Sequence, residues 1–211
     1  MNDPQANHPF RSEEEMWAYI EEQEGLLNQL DDIFANAHKK PKPHEALPEC
    51  PTPFHETERL AKEGDAISQF NLSIAYRNGD GVSKDPDKAA YWLLQSAENC
   101  FAPAQYNIGC YWRDKSKPNL QHAYSWFKKA AEQNYGPAQF NLGILYGNAG
   151  NYAAAYVWLY LAEQNRIDKA KENREEAASF LNKEDLNAAR LSVSAWLSDF
   201  RSKGQTHVES D

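Results

Sequence analysis

The sequence has little cysteine, no long apolar run and none of the short motifs that carry catalysis. Its three cysteines, Cys50, Cys100 and Cys110, form an odd set with no CxxC pair and no histidine at ligand spacing, so neither a disulfide framework nor a zinc site is signalled. Reduced thiols are expected, although Cys100 and Cys110 fall on neighbouring predicted helices where a disulfide is geometrically open. The six histidines, His8, His38, His44, His55, His122 and His207, never adopt HxxxH spacing, and no metal site is expected. No serine sits in a GxSxG elbow, and Gly79-Asp80-Gly81 lacks the following Lys-Ser/Thr of a phosphate-binding loop. The glutamates of the first 24 residues have nothing beside them to shift a carboxyl pKa and read as a solvated helix face. No catalytic residue and no cofactor are therefore expected, with a hydrolase-type enzyme as the alternative of another class.

No apolar stretch approaches the roughly 20 residues that span a bilayer. Met1 to Pro9 is polar, without the basic start and apolar core of a secretory signal, so a cytoplasmic location is the expectation. Net charge is −9, which repels nucleic-acid phosphates and anionic membrane surfaces alike. Most of it is local: residues 1–50 carry eleven acidic side chains against Arg11, Lys39, Lys40 and Lys42, giving −7 there. The rest of the chain is nearly balanced.

What is present is the composition of an ordinary folded chain, 41% hydrophobic and 25% charged over 211 residues. Residues 1–40 read as an acidic amphipathic N-terminal helix, its periodic part being 12–37. Ser12 is an N-cap and Glu15 completes the capping box. Met16, Ile20, Leu27, Leu30 and Phe34 fall on one face, with Gly25 as a permitted kink. A helix of this length is marginal alone in water, so its apolar face must dock, either on its own chain, on another protein, or on a second copy through self-association. Five prolines between Pro41 and Pro53 then remove backbone donors and fix φ, which makes 41–53 an extended, semi-rigid linker.

From Phe54 the chain repeats itself. Gln69-Phe70-Asn71-Leu72-Ser73 recurs as Gln105-Tyr106-Asn107-Ile108-Gly109 and as Gln139-Phe140-Asn141-Leu142-Gly143, at steps of 36 and 34 that mark helical-hairpin repeats. Seven residues after each glutamine stands an aromatic, Tyr76, Trp112 or Tyr146. Each predicted second helix then carries Ala89 with Trp92, Ala123 with Trp126, or Ala155 with Trp158. The joining loop shortens, since Gln to Trp is 23, then 21, then 19 residues. Ser73, Gly109 and Gly143 are small enough for close helix approach. Residues 54–63 read as the second helix of an opening half repeat, followed by hairpins at about 66–101, 102–136 and 137–167. Ala170, Ala177 and Leu181 mark one further helix. Asn182 caps another with Leu186, Ala189, Val193, Leu197 and Phe200 on one face, and Arg201–Asp211 is a flexible tail.

These positions resemble the SEL-1-like repeat (SLR) family, relatives of tetratricopeptide repeats with a longer inter-helix loop. The first repeat matches in Ala75-Tyr76, Gly79-Asp80-Gly81-Val82, Asp85, Lys88-Ala89, Trp92 and Ala97. The second matches in Gly109, Trp126 and Lys129-Ala130-Ala131-Glu132-Gln133, with Asp114-Lys115-Ser116-Lys117-Pro118 in place of the Gly-x-Gly-Val loop. In the third, Leu142-Gly143, Tyr146, Ala155 and Trp158 match. The resemblance covers about residues 60–200. It implies an all-α, right-handed α/α superhelix over 54–200, here with an extra N-terminal helix, and a concave surface that serves as an adaptor. Members described as β-lactamase-like carry paired cysteines in every repeat, which this chain lacks.

The expected role is non-catalytic binding of a protein or peptide partner on the first-helix surface, with a bacterial toxin-neutralising or effector-associated protein as an alternative client-specific version. The candidate binding residues are Asn71, Tyr76, Arg77, Asn107, Trp112, Arg113, Asn141 and Tyr146. An amide ladder at Asn71, Asn107 and Asn141 suits the backbone of an extended peptide, or bonds a neighbouring loop as part of the repeat. Arg77 and Arg113 could grip a partner carboxylate, or be solvated cations at helix ends.

Overall fold

The computed structural model describes residues 53–206, with side chains at Pro53 and 203–206 left aside. The amphipathic helix expected over 12–37, most of the 41–53 linker and the last residues of the tail lie outside the described residues. All regular structure within them is helical: α1 (Pro53–Lys62), α2 (Ala66–Asn78), α3 (Pro86–Glu98), α4 (Ala102–Arg113), α5 (Leu120–Glu132), α6 (Gly136–Asn148), α7 (Tyr152–Gln164), α8 (Ala170–Ser179) and α9 (Lys183–Thr206). The described chain divides into two compact units whose boundary falls between Gln133 and Asn134.

In the first unit α1 packs on α2, α2 pairs with α3, α3 touches α4, and α4 pairs with α5. In the second, α6 pairs with α7, and both α8 and α9 pack on α7. The helices therefore pair as consecutive antiparallel hairpins, the repeat unit that the glutamine spacing predicts. The first helices start three residues before their glutamines, at Ala66, Ala102 and Gly136.

Side-chain chemistry at the ends accounts for the bounds. Each second helix opens on an Asx cap: Asp85 accepts from the Lys88 N–H at 3.0 Å, Asn119 from His122 at 2.9 Å and Asn151 from Ala154 at 3.0 Å. Each cap satisfies a donor that the helix leaves orphaned, a contribution of about 1 kcal/mol. The same three residues close the loops, their own N–H groups donating to the carbonyls of Tyr76, Trp112 and Tyr146 at 3.0, 3.0 and 2.9 Å. Those loops shorten by two residues per repeat while the closing bond stays the same, so loop length varies without moving the second helix. The longest loop needs Gly79 at φ 85° and Gly81 at φ 72° to turn back.

Second helices end alike. Gly64, Cys100, Asn134 and Arg166 are all left-handed, at φ 100°, 61°, 62° and 58°. After three of them the next N–H reaches back over the helix end: Asp65 to the Leu60 carbonyl, Phe101 to Ser96 and Ile167 to Ala162, the Schellman arrangement.

The small residues act as the sequence implies. A Cβ on Gly109 would stand 2.6 Å from Cδ1 and Cε1 of Phe127, and one on Gly143 would stand 2.6 Å from Cγ of Leu159. Leu72, Ile108, Leu142 and Phe127 are fully buried around them. In the second unit Ala170, Ala177, Ala189 and Val193 are buried, and the Trp158 ring meets Trp196, which stacks on Phe200 at 5.0 Å. Helix α9 continues to Thr206 instead of ending at Phe200 as the sequence suggests. Arg201–Thr206 contains no proline, and Gly204 alone costs about 1 kcal/mol, too little to stop it.

Candidate protein-binding surface

The glutamine that marks each repeat is buried and hydrogen-bonded through both ends of its amide. Gln69 is 4% exposed; its Nε2 donates to the Ala61 carbonyl at 3.0 Å and its Oε1 accepts from Asn99 Nδ2 at 2.9 Å. Gln105 repeats this, donating to Ala97 at 3.0 Å and accepting from Gln133 Nε2 at 2.8 Å. Gln139 accepts from Asn165 Nδ2 at 2.8 Å and donates to Asn134 Oδ1 at 3.0 Å. Gln69 and Gln105 thus tie the end of the preceding helix to the C-terminal cap of their own hairpins, and Gln139 ties Asn134 to the cap of its own. Among the described residues no buried side-chain nitrogen or oxygen lacks a partner, the pattern of a polar network spent on structure.

The asparagines two positions on face outward. Asn71 is exposed and Asn107 half-buried, and neither makes a side-chain hydrogen bond among the described residues. Asn141 differs: its Nδ2 donates to the Pro137 carbonyl at 2.9 Å, one turn back on its own helix. Of the three amides, the first two therefore stand open on the consecutive first helices α2 and α4, and the third is engaged locally in the other unit.

Tyr76, Trp112 and Tyr146 are placed differently from the open amides. They are 3%, 6% and 7% exposed, and their rings pack within the hairpins: Tyr76 meets Phe54 edge-on at 6.0 Å and Trp112 stacks on His122 at 4.6 Å. Burial pushes the Tyr76 hydroxyl pKa up to about 12, with Glu58 and Asp85 adding to it. Residues five apart on a helix point about 140° away from each other, so Asn71 and Tyr76 cannot share a face. That spacing was the signal available in the sequence.

The two arginines also differ. Arg113 holds Asp114 in a fork, Nε to Oδ1 at 2.6 Å and Nη2 to Oδ2 at 2.9 Å, and lies 5.9 Å from the Phe127 ring centre. Its hydrogen bond keeps the Asp114 carboxyl below its ordinary pKa. Arg77 is exposed and has no ion-pair partner among the described residues. In the loop after α4 lies Lys115, whose ammonium sits over the rings of Tyr111 and Trp112 at 4.7 and 5.3 Å and whose pKa is lowered by desolvation.

The structure adds apolar residues to this face that the sequence reading passed over. Ile67 is 56% exposed, and Phe70 and Ile74 are half-buried. Ile67, Asn71 and Ile74 fall at i, i+4 and i+7, one helical stripe, and Phe70 touches Phe101 at the start of α4 with ring centres 5.3 Å apart. The stripe was visible in the spacing but obscured by the more conspicuous aromatics. Among the described residues no helix is long and apolar enough to cross a membrane, and no group of three or more His, Cys, Asp or Glu is placed to hold a metal ion.

Residues 66–99, 102–135 and 136–165 each match the family model described as Sel1 repeat. Among solved structures, a Sel1 repeat protein from Oxalobacter formigenes is 30% identical, with 57% of this chain and 96% of that chain covered and a TM-score of 0.54. A protective antigen with an SLR fold from uropathogenic Escherichia coli is 25% identical, covering 74% of this chain and 43% of that one at a TM-score of 0.39. Among curated proteins, the putative sel1-like repeat-containing protein L21 of Acanthamoeba polyphaga mimivirus is 40% identical over 57 residues. An F-box protein of Arabidopsis thaliana is 44% identical over 50. The matched stretches span only 11% and 14% of those two relatives. Repeats of this kind are in general protein-interaction modules and typically non-catalytic scaffolds. With three tandem matches and a homologous structure covered almost end to end, the chain belongs to the Sel1 repeat family.

Proposed function

We propose that the chain is a non-catalytic adaptor that takes a peptide or helix from a protein partner on the exposed face of α2 and α4. The observation that carries this is the division of labour along each first helix: glutamine and aromatic are consumed in packing, while Ile67, Asn71 and Asn107 are left outward. Open amides, with the exposed Ile67 and the half-buried Phe70 and Ile74 on α2, suit a backbone to be hydrogen-bonded and a side chain to be covered. Arg77 adds a cation for an acidic partner group. The net charge of −9 favours a protein over a nucleic acid, and the unpaired thiols of Cys100 and Cys110 suit a cytoplasmic setting.

The test is a peptide-display selection against the full chain, followed by affinity measurement on Asn71→Ala/Asn107→Ala. Loss of two hydrogen bonds of about 1 kcal/mol each weakens a selected peptide roughly 30-fold. Equal affinity for parent and variant would place the binding face elsewhere.

A further inference from the structure

We infer that the Lys115 ammonium is the receptor for a carboxylate of the bound protein partner, held in a notch of two aromatic rings at the end of the α4 face. The inference rests on the reading above that this face takes a peptide or helix, and names the group by which the partner is fixed at one end.

The first hairpin shows what such a cation has when its needs are met internally. There Lys88 sits over the Tyr76 ring, 5.2 Å from its centre, and pairs with Asp85, Nζ to Oδ2 at 3.2 Å. In the second hairpin Trp112 takes the place of Tyr76 and Asn119 that of Asp85: each of these two caps its helix and closes its loop on the aromatic's carbonyl. Asparagine in place of aspartate keeps the cap and removes the charge. His122 replaces Lys88 and stacks on Trp112, and the cation comes from the loop instead, as Lys115.

That cation is set up without an anion. The Lys115 ammonium lies 4.7 and 5.3 Å from the ring centres of Tyr111 and Trp112, and the two rings stand at 77° to each other. Their faces favour a cation but neutralise no charge. Among the described residues Lys115 has no ion-pair partner, because the acid beside it, Asp114, is held in the fork of Arg113. Partial removal of an ammonium from water without a counter-charge is unfavourable, and the lowered Lys115 pKa has desolvation as its cause with no carboxylate opposing it. An ammonium carries three donors. The rings cover its inner side, and the half-buried residue leaves the outer side for an incoming oxygen. A partner's carboxylate would restore to Lys115 what Asp85 supplies to Lys88.

Charge and position agree with this. Residues 99–131 carry Arg113, Lys115, Lys117, Lys128 and Lys129 against the single acid Asp114, a net of +4 in a chain of −9, so attraction of an acidic group is local to this hairpin. Tyr111 stands one helical turn beyond Asn107, about 6 Å along α4 and on the same face. An extended peptide covers that distance in about two residues, so a backbone bonded to Asn107 brings a nearby carboxylate to Lys115.

The experiment displays a library of short peptides with free C-termini against the full chain and measures the selected peptides on the parent, Lys115→Met and Lys117→Met. Methionine keeps an apolar stem over the rings and removes the charge. The selected peptides are expected to need one carboxylate. Exchanging a side-chain acid for its amide, or amidating the C-terminus, tells the two sources apart, and the change that removes the needed group should weaken binding to the parent about tenfold. Lys115→Met should weaken the unmodified peptide by the same factor and bind the amide form as the parent does, while Lys117→Met stays within about twofold. An acid-to-amide loss that is equal on the parent and Lys115→Met, equal losses for Lys115→Met and Lys117→Met, or a selection yielding no peptide that needs a carboxylate would each overturn the inference. If it fails while Asn71→Ala/Asn107→Ala still weakens a selected peptide, the binding face stands and only its anchor is wrong.

Discussion

Adding one methyl group to Gly109 should destabilise the protein even though it improves the helix. Alanine is worth about 1 kcal/mol over glycine inside a helix, and Gly109 is an interior residue of α4. Against that gain, the new Cβ would lie 2.6 Å from two carbons of the Phe127 ring, far inside contact distance. Phe127 is fully buried and has no free space to retreat into, and overpacking of this kind costs typically 1–3 kcal/mol. The net expectation for Gly109→Ala is a loss of up to about 2 kcal/mol, or as much as roughly 4–8 °C in Tm. Gly147→Ala is the control: its Cβ would meet the Ala155 Cβ at 3.8 Å, an ordinary contact, so only the propensity gain remains and stability should rise by about 0.5–1 kcal/mol. Urea unfolding followed by circular dichroism reads both. If Gly109→Ala stabilises as Gly147→Ala does, close helix approach is not what the small residue serves, and the packing account of the repeat is wrong.

Gln105→Ala should cost about 1–2 kcal/mol by the same assay, because it removes two buried hydrogen bonds, while the Ala97 carbonyl keeps the Cys100 N–H and the Gln133 amide keeps the Lys129 carbonyl; a loss below about 0.5 kcal/mol would remove the clamp from the account. Cys100→Gly should raise Tm, since Cys100 sits at φ 61° where a side chain costs about 1 kcal/mol or more. Asp65 accepts hydrogen bonds from the Ser68 hydroxyl and then from its N–H, which hold the carboxyl below its ordinary value. A depressed folded pKa contributes stability above the unfolded value of about 3.9 that is lost as pH falls through the folded one. The urea midpoint should therefore drop as pH falls below about 4, and Asp65→Asn, which keeps the cap, should make that drop shallower; an identical pH profile in the variant would contradict it.

Much of the architecture was legible because tandem repetition supplies its own controls. A glutamine at 69, 105 and 139 defines equivalent positions, whereas the caps at Asp85, Asn119 and Asn151 emerge with the structure. The far end of α9 was not legible, since neither proline nor cap residue signals where a polar helix fades. Left-handed Cys100 and Arg166 were equally silent, because only their equivalence to Gly64 and Asn134 betrays the turn they occupy.

The candidate surface was legible in part. Repetition equates Asn71 with Asn107 and Asn141, yet the structure leaves the first two open and turns the third back on Pro137. It also moves Tyr76, Trp112 and Tyr146 into the core. By itself, then, the sequence determined the repeat period, the helix order and the need for small residues at 109 and 143, all of which follow from pattern and spacing. Only the tertiary structure decided which recurring polar groups are consumed and which remain for a partner. That depends on how each helix is rotated against its neighbours, because residues two apart point about 160° away from each other on a helix, so a buried glutamine leaves the asparagine after it on the opposite side.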